Sequence, residues 1–123
     1  MRVGVDLVDV AALRARFDGR NDLLADTFSE AEVAYCLSQP RPWAHLAARL
    51  AAREAVLKAL GTGLKGTMSW RDVEVTRDPA GRPGLAFHGG MAEALARAGF
   101  ERSTVSLSHT DTHAIAVVVL FPV

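Results

Sequence analysis

Two side chains of opposite charge lie four residues apart in the most strongly helical part of the sequence. The segment Leu46–Gly63, LAARLAAREAVLKALGTG, consists mainly of Ala and Leu, which favour helices, and it ends in glycines that can cap one. Within it, Glu54 and Lys58 have the spacing that places two side chains on one face of a helix. The pair could be an ordinary solvated ion pair. Alternatively, the carboxylate could hold a metal ion or a proton while the ammonium group faces a phosphate.

Further charged residues could complete such a site. Asp6 lies within the valine-rich segment Arg2–Val8, which is typical of a strand, and an inward-facing acid there needs a cation or hydrogen-bond donors. Two carboxylates suit a hard cation such as Mg²⁺, which also takes water and phosphate oxygens as ligands. Basic side chains near one of the carboxylates suit a phosphorylated substrate. These basic residues are Arg49, Arg53, Lys58 and Lys65.

The composition is that of an ordinary globular protein, and 123 residues predict a single domain, 1–123. A formal net charge of zero gives no indication of a nucleic acid or an anionic membrane as partner. Cys36 is the only cysteine, which fits a reducing compartment such as the cytoplasm, and we expect it to be a small buried side chain. The sequence contains no zinc, Walker, dinucleotide-binding or GxSxG pattern.

The elements that position these residues are predicted to form an α+β domain, a mainly antiparallel sheet packed on one long helix. Val117–Phe121 is apolar at both parities, which predicts a central strand covered on both faces. The polar link before it, Ser108–His113, could bind a ligand or simply be a hairpin turn. The predicted order is β-α-α-α-β-β-α-β-β: strand Arg2–Val8, helices Val10–Phe17, Ser29–Ser38 (with a Ser29–Glu32 capping box) and Trp43 or Ala44 to Leu60, hairpin strands Asp72–Thr76 and Leu85–His88, helix Met91–Ala98, and strands TVSLS and AIAVVVLF.

Three segments together resemble the holo-(acyl-carrier-protein) synthase family of phosphopantetheinyl transferases. They are the opening GVDLVDV (Gly4–Val10), the helix RLAAREAVLKALGTG (Arg49–Gly63) and the closing VSLSHTDTHAIAVVV (Val105–Val119). The corresponding family patterns are GxD followed by an apolar pair, RFAxKEAxxKAxGTG, and an apolar VS(L/I)(S/T)H run. The turn AGRP (Ala80–Pro83) also resembles the family's GxP turn. The matches span the whole chain in the family's order.

The resemblance implies an activity and a role for each matching residue. The family transfers the 4′-phosphopantetheine arm of coenzyme A to a serine of an acyl carrier protein and releases 3′,5′-ADP. Asp6 and Glu54 would bind Mg²⁺, Glu54 or a water that it holds would help to deprotonate the serine, and Lys58 would stabilise the departing phosphate. Members are typically homotrimers with active sites at subunit interfaces. The residues expected to contact coenzyme A are Arg49, Arg53, Gly63, Lys65, Arg82, Pro83, His109 and Thr110.

Three positions depart from the family pattern. Arg53 replaces the usual lysine of the KEA triplet and keeps its charge, although arginine and lysine differ at tight phosphate contacts. Leu50 replaces the usual aromatic residue. Many members carry an arginine six positions after the first aspartate, where it meets the acidic carrier protein, and here that position is Ala12. Arg14 and Arg16 would then contact the carrier protein in its place.

Two other functions compete with the transferase reaction. A protein of the same fold could bind coenzyme A or a carrier protein without turnover, but it would have no need of Asp6, Glu54 and Lys58 together. A small structural oligomerisation domain would account for the apolar C-terminal strand and leave the order of the motifs unexplained. Mg²⁺-dependent loss of coenzyme A distinguishes the transferase from the binding protein.

Overall fold

The computed structural model describes residues 1–123 as five strands and five α-helices. A short 3-10 turn, Trp70–Asp72, precedes the second strand. The succession agrees with the predicted one except for one additional helix, α2. In chain order the elements are β1 (Arg2–Asp9), α1 (Val10–Phe17), α2 (Asn21–Thr27), α3 (Glu30–Leu37), α4 (Pro42–Leu60), β2 (Val73–Arg77), β3 (Pro83–Phe87), α5 (Gly89–Arg97), β4 (Phe100–His109) and β5 (His113–Pro122).

The additional helix, α2, has no start signal in the sequence. Its N-cap residue, Arg20, makes no side-chain capping bond, and burial of Leu24 anchors the helix instead. By contrast, Ser29 and Glu32 form the predicted capping box at the start of α3. Each side chain accepts a hydrogen bond from the other residue's backbone N–H, at 3.2 and 3.0 Å. Helix α2 therefore depends on tertiary packing, which local patterns do not report.

Strands β1, β5 and β4 form a three-stranded antiparallel sheet in that spatial order, so the predicted central strand is β5. Helix α4 packs on one face of this sheet, the inner face, through small side chains. Ala51, Ala55 and Ala59 on α4 are at most 2% exposed. This arrangement confirms the predicted fold class, an α+β fold with a mainly antiparallel sheet packed on one long helix.

Gly4 lets β1 approach α4 very closely. A Cβ atom at this position would overlap the carbonyl oxygen of Ala55 and lie 2.8 Å from the backbone nitrogen of Ala59. Both contacts are with helix backbone, so no side-chain movement could relieve them. The next residue on the same face of β1 is Asp6, because side chains alternate along a strand. The close approach therefore brings the Asp6 carboxylate to the surface of α4.

The expectation that Val117–Phe121 is covered on both faces is wrong for the single chain. Along β5, Ala116 and Val118 are buried on the inner face, whereas Ile115 and Val117 are 37% and 36% exposed. The reason is that α4 covers only one face of the sheet. The outer face is apolar in the neighbouring strand as well, where its exposed side chains are Val3, Val5 and Leu7.

Two further layers complete the fold. Strands β2 and β3 form the predicted hairpin, in which Arg77 pairs with Pro83 next to the turn. Helices α1 and α3 pack against the first half of α4, and α2 packs against α1 and α3, around a second apolar cluster that includes Phe17, Phe28 and the buried thiol of Cys36. None of the five helices has both the length and the apolar character needed to cross a membrane.

Candidate active site

Asp6 and Lys58 form an ion pair between β1 and α4. The Lys58 Nζ donates a hydrogen bond to Oδ1 of Asp6 at 2.7 Å. The Asp6 side chain is only 12% exposed, whereas that of Lys58 is 56% exposed. The hydrogen bond to Asp6 raises the pKa of Lys58. The side chain of Lys58 is therefore an ammonium group that reaches from solvent toward a largely buried carboxylate.

Glu54 lies one helical turn before Lys58 and contacts the same carboxylate. Burial, a hydrogen bond with the Asp6 side chain and the negative charge of Asp6 raise the pKa of Glu54 to about 7, while the positive charges of Lys58 and Arg16 act in the opposite direction. Two adjacent carboxylates repel each other when both are ionised. In the absence of a metal ion, Glu54 therefore retains its proton up to about neutral pH.

The carboxylate pair meets the requirements of a divalent cation. When Glu54 is ionised, Oδ2 of Asp6 is buried without a hydrogen-bond donor, an arrangement that costs free energy unless a donor or a cation satisfies it. Glu54 supplies a second carboxylate beside it. No group of three or more His, Cys, Asp or Glu side chains is arranged to hold a metal ion. The protein thus offers two ligands and leaves the remaining positions to water and phosphate oxygens, as Mg²⁺ sites typically do.

A second group of predicted residues lines a cleft of about 190 Å³, which we call the arginine cleft. Arg49 from α4, Pro83 from β3 and His109 from β4 are three of the residues expected to contact coenzyme A, and the fold brings them together here. The sequence patterns did not indicate three further lining residues, which are Tyr35, His45 and Arg77.

The three unpredicted residues differ in how well the sequence could have revealed them. Arg77 ends strand β2 one residue beyond the predicted end at Thr76, and the hairpin register pairs it with Pro83, so the register places it in the cleft. Tyr35 and His45 carry no such signal. They meet only because α3 packs against the first turns of α4, a tertiary contact that no local pattern reports.

The arginine cleft is positively charged. The Cζ atoms of Arg77 and Arg49 lie 4.0 and 4.8 Å from the centroid of the Tyr35 ring, and neither guanidinium group is paired with a carboxylate. Nε of Arg49 is buried without a hydrogen-bond partner. Two unpaired guanidinium groups at the wall of a cleft suit a phosphate ligand, since their donors match its oxygens.

Arg53 belongs to neither group, and its predicted contact with coenzyme A is replaced by a structural role. Its side chain is fully buried and donates hydrogen bonds to both carboxylate oxygens of Glu32, with a distance of 2.8 Å between Nη1 and Oε2. Its Nε donates to the carbonyl of Trp70 at 2.8 Å. The pair joins α3 and α4 to the 3-10 turn, and no donor of Arg53 faces solvent.

The remaining predicted residues lie in exposed loops and turns. Gly63 and Lys65 follow the end of α4, and Arg82 lies in the β2–β3 turn. Thr110 has a structural task, because its hydroxyl accepts a hydrogen bond from the backbone N–H of His113 at 3.2 Å and shapes the β4–β5 turn. The polar link between these strands is thus a tight hairpin with His109 at its base.

The two groups of residues face different sides of α4. Arg49 and Glu54 are five residues apart, which corresponds to about 140° around the helix axis. On the sheet, Asp6 and His109 are separated by two strand spacings and two residues of rise, about 12 Å between their Cα atoms. One copy of the chain therefore presents a carboxylate site and an arginine cleft that share no lining residue.

Helix α1 presents the two arginines expected to meet a carrier protein. Arg14 forms an ion pair with Asp18 at 3.6 Å, and both side chains are about three-fifths exposed. Arg16 has no acidic partner in hydrogen-bond reach, and its charge acts on Glu54. Ala12 and Arg16 are four residues apart, so they share a face of the helix. Arg16 thus occupies the face on which Ala12 replaces the family arginine.

Comparisons with known proteins agree on one family. The model of the 4′-phosphopantetheinyl transferase superfamily matches residues 2–118. The holo-[acyl-carrier-protein] synthase of Moorella thermoacetica is 45% identical over 117 residues, which cover 95% of this chain and 91% of the relative. Among solved structures, the holo-[acyl-carrier-protein] synthase from Neisseria meningitidis has a TM-score of 0.86 at 26% identity, covering 98% of this chain and 97% of that chain. That of Helicobacter pylori, in complex with coenzyme A, has a TM-score of 0.83 at 25% identity, covering 97% of this chain and 99% of that chain. The chain therefore belongs to the holo-[acyl-carrier-protein] synthase family of the 4′-phosphopantetheinyl transferase superfamily.

Proposed function

We propose that this chain transfers the 4′-phosphopantetheine arm of coenzyme A to a serine of an apo acyl carrier protein, in a Mg²⁺-dependent reaction that releases 3′,5′-ADP. The observation that carries the proposal is the contact among Asp6, Glu54 and Lys58. These are the residues to which the family motifs assign catalysis. They come from β1 and α4, which are distant in sequence, and a fold that served binding alone would not need to assemble them.

The chemistry of the transfer follows from what each side chain can do. Asp6 and Glu54 would hold Mg²⁺, which when bound would supply positive charge to the pyrophosphate group. Glu54, or a water that it holds, accepts the proton of the serine hydroxyl. The serine oxygen forms a bond to the phosphorus of the pantetheine phosphate, the phosphoanhydride bond breaks, and 3′,5′-ADP leaves with the bonding electron pair. The ammonium group of Lys58 stabilises the charge that develops on the departing phosphate.

The arginine cleft binds the nucleotide end of coenzyme A. Its support is the pair of unpaired guanidinium groups, Arg49 and Arg77, beside His109. Phosphate groups match these donors in charge and in geometry. Three exposed loop residues, which lie after α4 or in the β2–β3 turn, contact the nucleotide and its phosphates. They are Gly63, Lys65 and Arg82.

The protein acts as a homotrimer in which the active site lies between two copies. One support is the apolar outer face of the sheet, on which Val3, Val5 and Leu7 are 65%, 50% and 62% exposed. A contiguous apolar surface of this kind is typical of a protein–protein interface. The other support is that the carboxylate site and the arginine cleft face different sides of α4. The two ends of one coenzyme A molecule are then bound by the carboxylate site of one copy and the arginine cleft of its neighbour.

The carrier protein docks against α1 through Arg16, with Arg14 beside it. Carrier proteins are acidic partners in this family, and Arg16 presents an unpaired charge on the same helix face as Ala12. The effect of its positive charge on Glu54 supports a docking position close to the carboxylate site. A carrier held there delivers its serine near the group that accepts the proton.

The decisive experiment is the intact mass of an apo acyl carrier protein after incubation with this protein, coenzyme A and Mg²⁺. We expect a gain of one phosphopantetheine and its loss when EDTA is added. Carrier proteins of the fatty-acid and polyketide types are tested side by side. If no carrier gains mass while the folded protein still binds coenzyme A, the transferase proposal fails and the chain is a binding protein of the same fold.

A further inference from the structure

His45 lies in the middle of a column of three rings at the wall of the arginine cleft. Its imidazole contacts that of His109 with ring centroids 4.9 Å apart and an interplanar angle of 65°. On its other side, the ring of Tyr35 is 5.7 Å away at 85°, an edge-to-face arrangement. Such ring pairs are favourable and strongly directional. The column joins α3, α4 and β4, and His109 is its outermost member, since this residue is exposed while Tyr35 and His45 are partly buried.

We propose that His45 is a positioning residue that holds the imidazole of His109 against the arginine cleft, where His109 meets the nucleotide end of coenzyme A. The inference rests on the proposed function, from which it takes the ligand. In this arrangement the phosphate-bearing ligand contacts His109 directly and His45 only through it. Without the stacking partner, the exposed ring of His109 is free to leave the cleft, and ordering it again on binding costs conformational entropy.

The electrostatic surroundings of His45 suit a stacking role. Burial, and then the neighbouring His109 imidazole and the positive charges of Arg49 and Arg77, lower the pKa of His45. These groups face it from β4, from its own helix and from β2, and Tyr35 faces it from α3. The imidazole of His45 is therefore uncharged at neutral pH. An uncharged ring packs against His109 without repelling it and adds no charge of its own to the cleft.

Two substitutions distinguish the contribution of the His45 ring to ligand binding from that of its nitrogen atoms. His45→Ala removes the ring, and we expect binding of 3′,5′-ADP, measured by titration calorimetry at pH 7.5, to weaken about 2- to 10-fold. His45→Phe keeps an uncharged ring at the same position, and we expect it to restore the affinity. In the transfer assay His45→Ala raises the KM for coenzyme A by the same factor and leaves kcat unchanged, because the residue acts on ligand binding.

A control variant and two contrary results make the test decisive. His88→Ala removes an exposed histidine that pairs with Glu74 away from the cleft, and we expect no change in affinity. Unchanged affinity in His45→Ala overturns the proposal. So does a His45→Phe variant as weak as His45→Ala, since it would mean that a ring nitrogen contacts the ligand. In both cases transfer by the unsubstituted protein keeps the proposed function intact, whereas an unsubstituted protein that binds neither 3′,5′-ADP nor coenzyme A overturns both.

Discussion

Arg53 and Glu54 are neighbours on α4, yet their charges meet opposite environments. Arg53 points into the core, where Glu32, the Trp70 carbonyl and backbone of its own helix satisfy its donors. Glu54 points toward β1, where it meets a second carboxylate and no guanidinium partner. A buried charge that is fully paired serves structure, whereas Glu54 and Asp6 repel each other more than the nearby ammonium group of Lys58 offsets, and a metal ion would relieve that repulsion. The same physical rule thus separates the structural Arg53 from Glu54, the proposed metal ligand.

Glu54→Gln removes the charge of one carboxylate and keeps its shape. We expect phosphopantetheine transfer to fall at least about 100-fold, because both the proposed metal ligand and the proposed proton acceptor are lost. The fold persists, since glutamine relieves the repulsion between Glu54 and Asp6. Transfer is followed by intact mass and the fold by circular dichroism. The matched control is Glu93→Gln, an exposed acid on α5 that is paired only with Arg97. An active, folded Glu54→Gln variant would refute the metal role.

Arg53→Met tests the structural role of the buried ion pair. It leaves the Glu32 carboxylate buried without its cation, and we expect a loss of about 3–5 kcal/mol in the free energy of unfolding, measured by urea denaturation. Combining it with Glu32→Gln removes the uncompensated charge and recovers part of that loss. Arg53→Lys keeps a cation, and its KM for coenzyme A stays unchanged because no donor of Arg53 faces the ligand. A large rise in that KM would restore Arg53 to the coenzyme A site.

The sequence predicted which charged residues of β1 and α4 come together, and it predicted the lining of the cleft only in part, for a physical reason. Glu54 and Lys58 lie on one helix, so their spacing alone brings them to one face. Arg53 has the same local pattern, but its partner, Glu32, is 21 residues away and on another helix. Burial and pairing across such distances depend on how elements pack. Local spacing therefore shows which charged side chains share a helix face, but it does not show which of them become buried.

At the scale of elements, the site depends on how closely β1 lies against α4. Alternation in β1 puts Gly4 and Asp6 on the inner face, and the small side chains of Ala55 and Ala59 leave room for the strand. The spacing between strand and helix explains the GxD pattern. The glycine sets the distance between strand and helix, and the aspartate two residues later uses that distance to reach Lys58.

Gly4→Ala tests this coupling. The added methyl group meets the backbone of α4 at Ala55, so β1 must move away, and we expect a loss of about 1–3 kcal/mol in the free energy of unfolding. Transfer activity falls as well, because Asp6 moves with the strand. Ala55→Gly does not rescue the variant, since the clash is with a carbonyl oxygen. The control is Gly84→Ala, whose methyl group meets only the Thr76 hydroxyl at 3.0 Å. Wild-type stability and activity in Gly4→Ala would show that the close approach is dispensable.

The same scale shows which elements the sequence revealed. Helices α3 and α4 and the β2–β3 hairpin have caps, prolines or turn glycines at their ends, and their predicted bounds agree with the structure within a few residues. Helix α2 lacks these signals and was not predicted. The two-sided burial expected for β5 followed from its composition. The composition is the same whether the second face is covered by another element of the chain or by another molecule.

In the whole molecule, the outer face of the sheet is the apolar surface that one copy of the chain leaves uncovered. Val5 on β1 and Val117 on β5 are direct partners across the two strands, and they are 50% and 36% exposed. Both belong to an apolar surface that α4 does not cover. If copies of the chain cover it, β5 becomes buried on both faces, as its sequence predicts. The trimer would then account for both the apolar face and the separation of the two binding sites.

Val5→Lys combined with Val117→Lys tests this assembly. We expect the unsubstituted chain to have three times the monomer mass of 13.2 kDa by light scattering, and the variant to have the monomer mass. The variant still folds, because both side chains are exposed in the single chain. It loses transfer activity, because the carboxylate site of one copy no longer meets the arginine cleft of another. The control is Leu37→Lys on α3, which is 57% exposed and lies off the sheet. A variant that is monomeric and fully active would show that one copy holds the complete site, and an unsubstituted chain that is monomeric would refute the trimer itself.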